Sequence, residues 1–261
     1  MRKKLSYTGY ELVFSDEFNE EKLNRDNWNV ELHQPGWVNE ELQEYVDSAE
    51  NILIQDNKLI IRPVRTEKQD GFYYTSGRIS TQHKHDFTYG IFEARLKVPT
   101  GKGLLPAFWL LASDEKPIGS CWPVCGEIDI MEIMGQQTDV CYGTMHYGLP
   151  HEESQGIFTG KENFFSDDFH LFSLEWLPGV IRWYIDGEMY YEATKWYSAE
   201  EGKEPFPYPA PFDHDMYIIL NLAVGGNWVG YPDESTDFMQ ADYVIDFVKV
   251  FQKNPGEDGA L

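Results

Sequence analysis

The stretch Gly126-Glu127-Ile128-Asp129-Ile130-Met131-Glu132-Ile133-Met134-Gly135 sets three carboxylates into an otherwise apolar run. Such a run reads as a core strand, yet carboxylates are driven out of cores unless something offsets their desolvation. On a strand Glu127 and Asp129 share one face, while Ile128 and Ile130 point into the packing on the other. Glu132 then has the wrong parity. A β-bulge near Met131 would add one residue and bring all three acids onto one face, with the two glutamate Cα atoms about 13 Å apart after four strand steps.

Two carboxyl groups that bracket a bond are what glycoside hydrolysis requires, one as acid and the other as nucleophile or base. Carboxylates also build metal clusters, and a solvated acidic face has the same spacing. Spacing alone leaves these three readings open.

The flanking residues narrow them. Trp122-Pro123-Val124-Cys125-Gly126 leads into the strand, and Gly143-Thr144-Met145-His146-Tyr147 follows in the next one. On the pattern Glu-x-Asp-x-x-Glu, with a preceding Trp-Pro and a following Thr-x-His, the chain resembles glycoside hydrolase family 16 in its laminarinase-like branch. The resemblance extends from Phe14-Ser15-Asp16-Glu17-Phe18 to the segment 243–251. It implies endo-acting, retaining hydrolysis of β-1,3 linkages in a neutral glucan, with Glu127 as nucleophile and Glu132 as acid and then base. The charges of Glu127 and Asp129 should raise the pKa of Glu132, and His146 should hydrogen-bond within the cluster. Mixed β-1,3-1,4 glucan and agar remain alternative substrates, although the extra residue Met131 favours the laminarinase branch over strict mixed-linkage enzymes. A non-catalytic carbohydrate-binding jelly roll is a further alternative, but binding alone gives no reason to crowd three acids. A metal-dependent hydrolase using them as ligands is another.

By the same resemblance, Asn39 in Trp37-Val38-Asn39-Glu40-Glu41 and Arg78 in Ser76-Gly77-Arg78-Ile79 reach the glycan. Trp109 and Trp122 line the cleft as stacking platforms, and Trp228 reaches its rim. No catalytic cofactor is expected. Asp246 lies on a strand on which Val244, Val248 and Val250 fall on the same alternate positions, an apolar face where a lone carboxylate is costly. The family often holds a structural calcium at such an aspartate together with groups of the Asp-Glu-Phe segment, which nominates Asp246 and Glu17 as metal ligands.

Many short alternating segments punctuated by turn residues, with no helical period and no repeat, make the chain all-β. Phe172-Leu174-Trp176, Ile181-Trp183-Ile185 and Glu188–Tyr191, joined at Pro178-Gly179 and Asp186-Gly187, predict an antiparallel meander. Segment 92–98 predicts a half-buried strand, and the proline-rich segment 198–215 a surface loop. The resemblance sharpens the fold to a jelly-roll β-sandwich of two curved antiparallel sheets, the substrate cleft on the concave face. One catalytic domain is expected over 1–253, with a frayed tail over 254–261 and a monomeric state.

The formal net charge of -23 over 261 residues argues against a nucleic-acid partner and disfavours sulfated polysaccharides. Cys121, Cys125 and Cys141 are too few for a disulfide framework and read as free thiols. The start Met1-Arg2-Lys3-Lys4 is positive, but no apolar stretch follows it. As written the chain is cytoplasmic; the resemblance suggests an extracellular or periplasmic enzyme if a leader was removed. No run is long enough to span a membrane.

Overall fold

The computed structural model describes residues 3–113, 122–200 and 202–253. Its seven-stranded antiparallel sheet runs, in spatial order, β13 (Glu152–Thr159), β12 (Val140–Tyr147), β11 (Glu127–Glu132), β10 (Leu104–Ala112), β17 (Met216–Val224), β8 (Arg78–Ser80) and β2 (Asn29–Val30). The second large sheet runs β16 (Glu188–Ala193), β15 (Val180–Ile185), β14 (His170–Leu177), β9 (Gly90–Lys97), β18 (Tyr243–Lys253), β5 (Lys58–Ile61) and β4 (Ile52–Gln55), and β1 (Tyr10–Asp16) also pairs with β18. Strand alternation buries Phe108, Leu110, Ile128, Leu220 and Leu222 of the first sheet against Phe92, Leu96, Leu174, Trp176 and Trp183 of the second. The opposite face of the first sheet is left to form a cleft. This is the jelly-roll sandwich that the alternation and the family pattern predicted.

The meander over β14, β15 and β16 forms with both turns where the sequence placed them. Strand β9 is more buried than a half-buried strand should be. Glu93 is covered as well, accepting hydrogen bonds from the hydroxyls of Tyr7 at 2.5 Å and Ser173 at 2.8 Å. A third sheet of β3 (Gln43–Tyr45), β7 (Gly71–Ser76) and β6 (Val64–Lys68) was not foreseen; its β3–β7 pair is parallel. One short helix, α1 (Phe164–Asp167), was also missed. The proline-rich segment has no strand between residues 198 and 215, but it is no mere surface loop. Ser198 and Phe212 are fully buried, and the Trp196 indole donates to the Pro209 carbonyl at 2.8 Å. Cys141 is a buried free thiol and Cys125 is buried, while Cys121 and the tail from Asn254 lie outside the described residues.

Candidate active site

The ladder between β10 and β11 pairs Trp109 with Asp129 and Phe108 with Met131, so two steps on β11 face one on β10. On the other side Asp129 pairs with Thr144 and Glu132 with Tyr142, three steps against two. The extra residue therefore lies between Asp129 and Glu132, and Ile130 and Met131 both enter the core. A bulge interrupts the ladder. There the Asp129 carbonyl accepts a hydrogen bond at 2.8 Å from the indole of Trp183, which reaches across the core from β15. Gly143 lets that ring pass, since a Cβ at this position would stand 2.5 Å from Trp183 Cδ1.

Glu127, Asp129 and Glu132 consequently line one cleft of about 640 Å³, with Trp109, Trp122, Arg78 and Asn39. His146 stands directly across from Glu127 on β12. Its Nε2 lies 3.3 Å from Asp129 Oδ2 and 3.9 Å from Glu127 Oε1. Burial first, and then the Asp129 charge, pushes Glu127 up to about 8; His146, Arg78 and a hydrogen bond from Trp122 pull in the other direction. Burial, followed by the charge of Glu153, likewise pushes Asp129 up to about 8. Glu132 is pushed well above the usual carboxylate range by burial, then by the charges of Asp129 and Glu127, with His146 pulling the other way. Three neighbouring anions out of water cannot all persist. His146, Arg78 and Trp122 all favour the charged form of Glu127, whereas on Glu132 the neighbouring acids Asp129 and Glu127 favour the protonated form.

These shifts fix the sign of a stability effect. A carboxyl whose folded pKa is about 8, against 4.5 unfolded, favours folding when protonated. Its penalty is absent below the unfolded value, grows as pH rises towards 8 and is then complete. At pH 7 it amounts to at most about 3 kcal/mol, since the Glu127 side chain is still 17% exposed. Glu127→Gln keeps the shape without the charge. Its melting temperature should exceed that of the parent by several degrees at pH 8 and match it at pH 4, as scanning calorimetry at both values would read. A difference independent of pH would mean that the carboxyl is not desolvated.

The wall facing the acids is a layered stack. Arg78 is buried, its guanidinium 4.8 Å over the Trp109 ring and 5.3 Å from that of Trp37, while Trp37 lies flat on His33 at 3.5 Å. The Arg78 Nε donates to Glu31. Burial opposes the charge of Glu31, but Arg78, Ser80 and His33 together outweigh it and hold its carboxyl below the usual range. Trp109 donates its indole N–H to Asn221 Oδ1 at 2.7 Å. Arg78 and Trp109 thus form cleft wall held from behind, a support that the sequence reading missed in Glu31 and Asn221. Asn39 lies at the cleft in a left-handed turn, φ 52°, as an exposed residue. Trp228 is exposed outside the cleft lining, edge-on to Tyr142 at 5.1 Å.

Trp122 has a second connection that its motif did not reveal. Its ring is about half exposed, and its indole N–H favours the charged form of Glu127. Loss of the ring in Trp122→Ala should weaken glycan binding by about 1 kcal/mol or more, roughly fivefold or greater in Kd. Trp122→Phe keeps the ring and loses the N–H, so kcat should fall more than affinity. Equal losses of both constants in the two variants would separate the indole N–H from Glu127. Trp109→Ala removes part of the supporting wall and should also lower the melting temperature.

Asp246 departs from its expected setting. A register shift between Ile245 and Phe247 breaks the alternation, so Val248 and Val250 face the core and Asp246 does not. Its Oδ2 accepts from Arg95 at 2.6 Å, and Lys58 lies 3.4 Å from Oδ1. Glu17 pairs with Lys249 at 2.8 Å. Calcium takes a set of oxygen ligands. Carboxylates already neutralised by three cations do not supply one, so these side chains do not fit the ion and no role is built on it.

The model of the glycosyl hydrolases family 16 matches residues 27–246. A glucan endo-1,3-beta-glucosidase of Cryptopygus antarcticus is 38% identical over 93% of this chain and 92% of its own length. Glucan endo-1,3-beta-glucosidase A1 of Niallia circulans is 37% identical over 94% of this chain, which spans only 38% of that protein. Among solved structures, the catalytic domain of an endo-1,3-beta-glucanase (laminarinase) from Thermotoga petrophila superimposes with a TM-score of 0.77 at 36% identity, covering 94% of this chain and 98% of that one.

Proposed function

We propose that this chain, which belongs to glycosyl hydrolase family 16, is an endo-acting enzyme that hydrolyses β-1,3 linkages in a neutral β-glucan with retention of configuration. The observation behind this reading is the row of three acids, Asp129 buried and the two glutamates partly covered. The bulge brings Glu127, Asp129 and Glu132 to one cleft, and a merely sugar-binding face would have no use for their mutual repulsion.

Glu127 attacks the anomeric carbon, and its charge is favoured by His146, Arg78 and the Trp122 N–H. Glu132 gives its proton to the departing glycosidic oxygen. Ester formation removes the Glu127 charge. The electrostatic push on Glu132 then weakens and its pKa falls, so the residue that was an acid can take a proton from the incoming water. That water cleaves the glycosyl ester and restores both groups. Asp129 separates them and helps keep the proton on Glu132. The strongly negative chain repels sulfated glycans and favours a neutral one.

The test is a product profile on laminarin, lichenan and agarose side by side. Short oligosaccharides released early from laminarin, with little from agarose, are expected. Exclusive cleavage of agarose or no cleavage of any glucan would overturn the assignment.

A further inference from the structure

The hairpin of β12 and β13 sets a second group of donors behind the acid row. His146 and Glu153 are direct cross-strand partners, and His151 comes from the turn between the strands. His146 Nδ1 stands 3.0 Å from His151 Nε2 and 3.7 Å from Glu153 Oε2. One ligand atom from each residue lies within 4.8 Å of the others. Two ligands of a tetrahedral zinc ion at 2.0–2.1 Å stand about 3.3 Å apart, so the two imidazole nitrogens already have nearly the required separation.

A second observation comes from the far side of the His146 ring. Asp129 Oδ2 is buried without a hydrogen-bond partner, and it faces His146 Nε2 at 3.3 Å. A metal-bound histidine commonly directs its other N–H at a carboxylate, which fixes the tautomer and makes the ring a better ligand. Coordination at Nδ1 would leave the proton on Nε2, aimed at the unpaired oxygen.

We propose that His146, His151 and Glu153 form a site for a divalent cation of the zinc class. Two imidazoles and one carboxylate suit zinc, copper or nickel and disfavour calcium and magnesium, which take oxygen ligands. Water completes the coordination shell. Because the ion shares His146 with the acid row and lies beside the Trp122 ring, which is 4.9 Å from that of His151, its binding should lower turnover.

Isothermal titration of the full chain with zinc chloride at neutral pH should show one ion per chain. His151→Ala and Glu153→Gln should each weaken that binding at least tenfold with an unchanged circular dichroism spectrum, and magnesium should not compete. Undiminished affinity in His151→Ala would overturn the site, since the ion would then sit on Glu127, Asp129 and His146 or on the acidic surface. No saturable heat in the parent chain would also overturn it. The inhibition arm rests on the proposed glucanase activity, and the binding arm does not, so the two can fail separately. In that arm zinc should lower laminarin hydrolysis, a chelator should restore it, and His151→Ala should be at least tenfold less sensitive to zinc.

Discussion

A chain lacking both Ile130 and Met131 is expected to lose laminarin hydrolysis by three orders of magnitude or more, about 4 kcal/mol in barrier. Ile130 and Met131 both point into the core, and together they span the place where β11 carries one residue more than its neighbours. Removing both makes Glu132 follow Asp129 directly, so that simple alternation gives it the opposite face. Glu132 would then turn inward among Phe108, Leu220 and the other core side chains, while Ile133 would turn towards the cleft. A carboxyl without partners in that core costs several kcal/mol even when protonated, so part of the loss should appear as a lower melting temperature. Met131→Leu keeps both the residue count and most of the bulk, and should cost less than about 1.5 kcal/mol of stability with activity retained. Reducing-end release and near-ultraviolet circular dichroism on the two variants make the comparison. A deletion variant that is folded and as active as Met131→Leu would show that the three acids do not act as one row.

That bulge was legible in the sequence because it resolves a conflict within six consecutive residues. Charge at Glu127, Asp129 and Glu132 demands one face, the strand period denies it, and a single inserted residue satisfies both. The alternating segments of β14 and β15 were readable for the same local reason. The strand at Asp246 shows the opposite case. Its bulge has no such conflict to announce it, and the cations that neutralise the carboxylate, Lys58 and Arg95, come from strands distant in sequence. Alternation alone therefore assigned the wrong face. Arg78 was legible as a cleft residue but not as a buried ion pair, because Glu31 lies in a segment whose composition reads as loop. The influence of Trp122 on Glu127 and the packing of Phe212 under the proline-rich segment depend on how loops close over the sheet, and no period in the sequence encodes that.

The two glutamates should be separable by what azide restores. Glu127→Ala is expected to lower laminarin turnover by on the order of 10⁴ or more, because no group remains to form the glycosyl ester. With an aryl β-glucoside bearing a good leaving group, azide can occupy the space vacated by the carboxylate and displace the aryl oxide in one step from the opposite side. The product is the α-glycosyl azide. Glu132→Ala leaves Glu127 in place, in one cleft with Trp122 and Arg78 and beside His146. The activated substrate then forms the glycosyl ester without an acid, and the ester accumulates because no base activates water. Azide needs no base; it attacks the ester from the face that the leaving group vacated and gives the β-glycosyl azide. On laminarin, whose leaving group needs a proton, the same variant should fall by up to about 10⁴. Proton NMR of the anomeric coupling distinguishes the two azides. The α product from Glu132→Ala with the β product from Glu127→Ala would exchange the two roles, and undiminished hydrolysis in both variants would place the chemistry elsewhere in the cleft.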